Sequence, residues 1–382
     1  MRILYLSPGG SAQGGAERSL ALLIAGMVSR GHDVFVAVLA PGDAGDVFAA
    51  AGATVLSRAA ALDRVRRHGT ALSFAAGIVQ SVPAVAGLAA RLRRDARELD
   101  IDIVHSNGFR THLLSPLLRG GRCRMIWALR DRAPRLSQRV ALALASLTTH
   151  AVVANSRFTA EQLLWARRPI DVVPNPVRAD AAVPRDEARA ALGLPAARPV
   201  VAVVSHLHPS KGHHVAVEAM AGWQGDDRPH LALAGACIYG DASTTYEREL
   251  RNLTASHGLE GDVVLLGGVS DVGLVYASAD VVVQPATYPE GFGRVVVEAQ
   301  LAGVPVIATD LGGARELIED GASGLLVPPG DPAALRTAIA QVLTCSDLAR
   351  KLIAGGKDSA RRFSEDSHAD AVEDIYRRVL SK

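Results

Sequence analysis

The sequence predicts an α/β chain built on parallel strands and divided into more than one domain. Three observations carry this. The first is the stretch from Asp280 to Gly313. A β-branched run (Val281, Val282, Val283) stops at Pro285, a glycine-containing loop follows, a helix runs from Arg294 to Gly303, and Val304 to Thr309 is a second apolar run. A strand, helix and strand joined this closely make parallel strands, with the loop at their carboxyl ends. The second observation is that the chain opens the same way. Arg2 to Ser7 is apolar, Pro8, Gly9, Gly10, Gly14 and Gly15 make a glycine-rich loop, a helical pattern spans Ala16 to Arg30, and Val34 to Leu39 is the next strand. The third is length: 382 residues suit two or three domains.

Composition narrows the class. Hydrophobic residues make up 49% and charged residues 21%, as in a water-soluble globular chain with large cores. The net charge of +2 is too near neutral to argue for nucleic acid. The three cysteines, Cys123, Cys237 and Cys345, are far apart and form no C-x-x-C, so no disulfide framework is implied and a reducing cytoplasm fits. The opening MRILYLSPGG lacks a signal-peptide pattern. Lysine is scarce and alanine abundant, which suggests a GC-rich bacterial source.

The elements then follow in order. Leu20, Leu23, Ile24 and Met27 share one face of the first helix, which Gly31 ends. The loop before it is not G-x-G-x-x-G, so the nicotinamide fingerprint is missing. Residues Gly69 to Ala90 carry no charge and lie between Arg64, Arg66, Arg67 and Arg91, Arg93, Arg94. The run is mostly small residues with Gln80 and Pro83 inside, so its membrane transfer energy is weak. One or two helices of the first domain are expected there, with a basic-flanked helix on anionic lipid as the alternative. Asp102 to His105 is a strand leading to Ser106, Asn107 and Gly108. Asp100-Ile101-Asp102 is formally D-x-D, but it falls where a helix ends and a buried strand begins. Arg124 to Leu129 is a strand closing at Arg130 and Asp131, and Val152 to Asn155 is the next.

Pro174 and Pro176 stiffen the exit from the first domain. Residues 177–198 read as a linker with a short helix. Pro199 to Ser205 opens the second domain, followed by the loop His206 to Gly212 and a helix from His213. His206, His208, His213 and His214 fit no strong zinc spacing. Leu231 to Gly235 and Val263 to Leu266 are further strands. Helices are expected from Pro332 and from Ser367 to Leu380.

The loop Tyr288 to Gly293 has the chemistry of an anion site. Gly291 and Gly293 let backbone approach a ligand, and the opening amides of the helix favour negative charge. Glu290 and Glu298 flank the same place. A bare phosphate would not suit two carboxylates, but a phosphate joined to sugar hydroxyls would.

Glu290, the Gly-Phe-Gly that follows and Glu298 resemble the E-x7-E signature of retaining nucleotide-sugar glycosyltransferases of the GT-B fold, family 4. ADVVVQP, EGFGRVVVEA, GVPVIAT and GGARELIEDGASGLLVPPGD resemble that family almost continuously. The resemblance implies two Rossmann-like domains facing across a cleft: an acceptor-binding domain at 1–176 with 365–382 packing back on it, the linker at 177–198, and a nucleotide-sugar domain at 199–364. It makes Glu290 the contact to the donor sugar and Glu298 the contact to the ribose. Lys211 and Gly212 match the diphosphate loop, with His206 where the family has Arg. Gly235, Gly268 and Val269 lie on loops that skirt the nucleotide, and Gly291, Phe292, Gly293 and Arg294 supply helix-start contacts. Gly14, Gly15, Glu17, Asn107 and Asp131 are the acceptor-side loops, and Arg130 stands where His is usual. Glu290, Lys211 and Arg130 are the implied catalytic set.

No metal or cofactor is implied beyond a nucleoside-diphosphate sugar as donor. The acceptor would be a glycan, a lipid-linked sugar or a natural product. Transfer would retain the anomeric configuration by front-face attack. The location would be cytoplasmic, with a peripheral position at the inner face of the membrane as a second reading. A GT-B epimerase or hydrolase and a non-catalytic nucleotide-sugar binder are the alternatives.

Overall fold

A computed structural model describes residues 1–11, 14–57, 71–118, 122–133, 135–163, 170–179, 183–223, 227–237 and 241–382. The chain forms two compact units, Met1–Pro176 with Glu365–Lys382, and Val177–Ser364.

The first unit is a parallel sheet of β1 (Arg2–Ser7), β2 (Asp33–Val38), β3 (Thr54–Ser57), β4 (Ile103–Ser106), β5 (Arg124–Leu129), β6 (Ala151–Ala154) and β7 (Ile170–Val172). Its order is β3-β2-β1-β4-β5-β6-β7. Side chains alternate across a strand, so β1 feeds two cores. Ile3 and Tyr5 join Leu20, Leu23, Ile24 and Met27 of the helix Gly15–Ser29 and Val372, Ile375 and Tyr376 of the helix Glu365–Leu380. Leu4 and Leu6 join Leu88, Leu92, Leu114 and Trp127 on the other face. The two helices of the first core touch closely: a Cβ on Gly26 would lie 2.8 Å from that of Ala369.

From Ala71 onward the uncharged run belongs to one helix, Ala71–Glu98, with Pro83 inside it. Leu88, Ala89 and Leu92 bury its later turns in the first unit's core. Gly69 and the expected flank Arg64, Arg66 and Arg67 lie outside the described residues. Among the described residues no helix is long and apolar enough to cross a membrane. The D-x-D is a structural clasp. The Asp102 carboxylate accepts the Arg2 backbone N–H at 2.8 Å, and Asp100 pairs with the Arg2 guanidinium.

The second unit is a parallel sheet of β8 (Val200–Val204), β9 (His230–Ala234), β10 (Val263–Gly267), β11 (Val281–Gln284), β12 (Val306–Thr309) and β13 (Leu325–Val327). Its order is β10-β9-β8-β11-β12-β13. Val201 and Val203 enter one core with Met220, Leu233 and Ile339; Ala202 enters the other with Val282, Val296 and Val306. β12 starts at Val306 rather than Val304, because the Val304 N–H closes the preceding helix on the Ala299 carbonyl at 3.0 Å.

The expected linker is a correction. Residues 177–198 are part of the second unit. The helix Arg185–Leu192 is pinned by Arg189, which is 1% exposed. Its guanidinium donates to the carbonyls of Ser278, Pro195, Ala196 and Arg198 and to the Asp280 carboxylate. An Ala/Asp/Arg/Pro composition hid this, since only tertiary contact shows an arginine with all its donors engaged.

In both sheets the strand order reverses direction beside the first strand, between β1 and β4 and between β8 and β11. Ligands bind outside the carboxyl ends of parallel strands at such switch points.

Candidate active site

In the second unit the switch-point loops follow β8 and β11, and they touch. Gly212 has φ +74, and a Cβ there would lie 1.7 Å from the Pro285 carbonyl oxygen. The Thr287 N–H donates to the Ser210 carbonyl at 2.9 Å. This contact sets Lys211 Nζ 2.7 Å from Glu290 Oε1. Glu290 Oε2 accepts from Gln284 Nε2 at 3.1 Å. The backbone of Glu290 is held from the third side. The Gly313 N–H donates to the Glu290 carbonyl at 2.9 Å, and a Cβ on Gly312 would come within 2.4 Å of that oxygen.

The helix Arg294–Ala302 opens behind Gly293, whose φ is +99. Glu298 lies one turn into it. Arg294 donates to Glu298 Oε1 through Nε at 3.1 Å and Nη2 at 3.0 Å, and the Tyr276 hydroxyl donates to Oε2 at 2.6 Å. Phe292 turns inward, 4% exposed, and packs edge-on against Phe363 with centroids 5.6 Å apart. It contributes a wedge and a backbone amide. Gly235, on the loop after β9, passes so close that a Cβ would lie 1.7 Å from the Ser205 carbonyl oxygen; Gly268, after β10, meets Ala236. Val269 packs at the edge of the core. The loops after β8 and β11 therefore present an ammonium, the first amides of a helix and two oriented carboxylates. That set suits a ligand with alternating phosphate and hydroxyl groups.

The histidines of the β8 loop have separate jobs. His208 caps the turn Pro209–Lys211 by accepting from the Ser210 N–H, and His214 meets the Tyr246 hydroxyl at 2.9 Å. His213 is fully buried against Ser205, and burial lowers its pKa to about 3. His206 is lowered to about 4, first by burial and then by Lys211 and His208. His206 stands where the resemblance places an arginine, but buried next to Lys211 its ring is neutral. Among the described residues no group of three or more His, Cys, Asp or Glu could hold a metal ion.

The first unit places Gly14, Gly15, Glu17 and Asn107 on or beside its switch-point loops, after β1 and β4, and Arg130 and Asp131 on the next loop, after β5. Gly14 caps the helix Gly15–Ser29, and Glu17 folds back over the glycine loop, where a Cβ on Gly9 or Gly14 would meet its carboxylate within 2.0 Å. Burial raises the pKa of Glu17. Asn107 follows β4, and Arg130 and Asp131 follow β5. Asp131 is exposed, and its carbonyl accepts from Gln162 Nε2 at 2.9 Å. Arg130 is 8% exposed and donates to Asn175 Oδ1 at 3.0 Å and Asn107 Oδ1 at 3.2 Å. Its guanidinium is thus built into the first unit.

Residues 13–181 match the family described as Glycosyltransferase Family 4, and residues 184–359 match Glycosyl transferases group 1. Together the two matches span residues 13–359, and the chain belongs to the family 4 glycosyltransferases. It has the GT-B fold. Anabaena HepE, solved in complex with UDP and glucose, superposes with a TM-score of 0.84 at 25% identity over 99% of this chain and 100% of that one. Sucrose-phosphate synthase from Thermosynechococcus elongatus shares the fold, with a TM-score of 0.81 at 21% identity over 100% of this chain and 99% of that one. The D-inositol 3-phosphate glycosyltransferase of Saccharomonospora viridis is 35% identical over 52% of this chain and 47% of its own length. The phosphatidyl-myo-inositol mannosyltransferase of Mycobacterium leprae is 36% identical over 45% of this chain and 44% of its own. The match spans about half the length of these curated relatives.

The grip of four residues on Glu290 and Glu298 was not legible in the sequence. Gln284 had a signal, a polar residue closing a run of valines. Gly312 and Gly313 were visible as a pair, but not their grip on Glu290. Tyr276 lies on a different helix from Glu298, and no spacing rule connects them.

Proposed function

We propose that the chain moves a hexose-type sugar from a nucleoside-diphosphate sugar, UDP or GDP, to an acceptor hydroxyl with retention of configuration. The carrying observation is the double clamp in the second unit, Lys211–Glu290–Gln284 and Arg294–Glu298–Tyr276. Glu298 would accept the ribose hydroxyls and Glu290 those of the sugar. An ammonium has three donors, so Lys211 can keep Glu290 and still grip the diphosphate. With the amides at Phe292 and Gly293 it would stabilise the charge that develops on the leaving phosphate.

Both oxygens of Glu290 already accept hydrogen bonds, which favours positioning over nucleophilic attack. The acceptor hydroxyl would attack from the leaving-group side, and its proton would pass to the departing phosphate oxygen. No metal is given a role in this step. A covalent glycosyl-Glu290 found by mass spectrometry after mixing with donor would overturn it. HepE, at 25% identity, makes UDP the first nucleotide to test. A thermal-shift series with UDP, GDP and their sugars should raise the melting temperature with one nucleotide only. That shift should vanish in Glu298→Ala. No shift with any of them would favour a chain that has lost donor binding.

For the acceptor, one observation favours a lipid-linked molecule reached by peripheral contact. Leu136, Leu144 and Leu147, at or beside the helix Leu136–Ser146, are 69%, 64% and 49% exposed. Residues 103–160 hold nine arginines and a single acid, Asp131, which suits an anionic bilayer. Flotation with phosphatidylglycerol vesicles should carry the protein and be lost in Leu136→Ser/Leu147→Ser. Equal flotation of the variant removes this reading.

A further inference from the structure

Behind Arg130, inside the first unit, lies a cavity of about 10 Å³. It is lined by Leu23, Val153, Val173 and Val372 and by the polar side chains of His105, Asn155 and His368. These three are 1%, 5% and 7% exposed. Each also has one atom without a hydrogen-bond partner: His105 Nε2, Asn155 Oδ1 and His368 Nε2. Three such buried atoms around one small space are uncommon, because a buried polar atom left without a hydrogen bond is destabilising.

Their protonation follows from their other partners. His368 Nδ1 lies 2.6 Å from the Pro174 carbonyl oxygen, which can only accept. Nδ1 therefore carries the hydrogen. Burial and Arg130 hold the ring neutral, its pKa lowered to about 3, so Nε2 shows a lone pair to the cavity. Asn155 spends Nδ2 on the Arg130 carbonyl at 3.0 Å, so its oxygen faces in. His105 Nδ1 meets the Tyr376 hydroxyl at 2.5 Å, and that hydroxyl meets Tyr5 at 3.1 Å. Only one direction gives both hydroxyl protons an acceptor: Tyr5 donates to Tyr376, and Tyr376 donates to His105 Nδ1. Burial keeps His105 neutral too, so its single ring hydrogen sits on Nε2 and points into the cavity.

These three atoms thus offer one donor and two acceptors. An anion would face two lone pairs. A cation would face the Arg130 guanidinium. A water matches: it accepts from His105 and donates to Asn155 and His368. Buried waters make about three such bonds, and the volume suits one molecule.

We propose that this cavity is a binding site for a single structural water, bonded to His105 Nε2, Asn155 Oδ1 and His368 Nε2. The water ties together β4, the end of β6 and the helix Glu365–Leu380, and Asn155, which also donates to the Arg130 carbonyl, links them to the β5 loop. It gives Arg130 a fixed seat regardless of which acceptor the protein uses.

A high-resolution crystal structure of the full chain should show water density within about 3 Å of all three atoms. Nitrogen-15 spectra should show His105 protonated at Nε2 and His368 at Nδ1. A dry cavity, an ion in it, or His105 protonated at Nδ1 overturns the proposal. Val372→Ile adds one methylene to the cavity wall without touching its hydrogen bonds. Filling a dry apolar hole raises stability, whereas expelling this water should lower the melting temperature by roughly 2–8 °C. A rise overturns the proposal.

Discussion

The loops after β8 and β11 hold two carboxylates in direct contact with two cations, Lys211 with Glu290 and Arg294 with Glu298. In the first unit the loops after β4 and β5, strands that correspond to β11 and β12, hold Arg130 between two neutral asparagines, beside two neutral histidines. Both sets hang from parallel sheets with the same strand order through six strands, and each includes one of the corresponding loops after β4 and β11, so strand order alone does not make the difference. The second unit's groups are part-exposed and charge-paired, ready to exchange one partner for a ligand. Those of the first unit are buried and committed to each other. A fold supplies the place for a site, and the charge and burial of a few loop residues decide whether that place is chemical or architectural.

The strongest test sets Lys211→Ala against Arg130→Met. Lys211→Ala should cut turnover by roughly 10²–10³ or more and weaken nucleotide binding. Arg130→Met should keep the nucleotide thermal shift, because the second unit carries the clamp, but lower the melting temperature by leaving Asn107 and Asn175 unpaired. A lost shift in Arg130→Met would break the comparison. Next, Gly212→Ala should destabilise by roughly 3 kcal/mol or more, since it combines a left-handed φ with the 1.7 Å clash on Pro285. Gly193→Ala, with φ +66 but open space around it, should cost only about 1 kcal/mol. Equal denaturant midpoints for the two would mean the β8 and β11 loops do not touch.

Acid should weaken both units. His206 and His213 in the second unit and His105 and His368 in the first all have folded pKa values below the ordinary 6.5. The unfolded chain therefore binds more protons below pH 6.5. Stability is complete above that pH and falls towards about pH 4 to 3, with a slope of up to about 1.4 kcal/mol per pH unit for each histidine. Denaturant titrations that are flat between pH 6.5 and 4.5 would contradict the burial of neutral rings. The smallest effect is expected for Tyr276→Phe, which removes one hydrogen bond to Glu298. It should raise the nucleotide dissociation constant by about 3- to 10-fold and leave the melting temperature of the unliganded protein nearly unchanged. An unaltered constant would mean that Arg294 alone orients the carboxylate.

Several features could be read from the residues alone. Runs such as Val281–Val283 and Val200–Val204 are apolar on both faces, which only a covered parallel sheet accommodates. Glycines at positions 212, 293 and 303 mark left-handed turns that local sterics demand. Glu290 and Glu298, with seven residues between them around a helix start, marked the place where the structure sets two oriented carboxylates. The short edge strands Thr54–Ser57, Ile170–Val172 and Leu325–Val327 carried too few residues to show a period. Arg185–Leu192 carried a polar pattern that looked like linker.

What the sequence could not contain was the identity of each partner. The bonds from Tyr276 to Glu298, from Gln284 to Glu290 and from Arg130 to Asn175 join residues that approach only once the strands are in register. The same holds for the histidines. His206 beside Lys211 invites a charged reading in one dimension, and burial makes it neutral in three. Local sterics and hydrophobic period act between near neighbours, so the sequence alone determines strands, turns and the place of the loops. Desolvation and hydrogen-bond pairing depend on what lies across the core, and only the tertiary structure decides those.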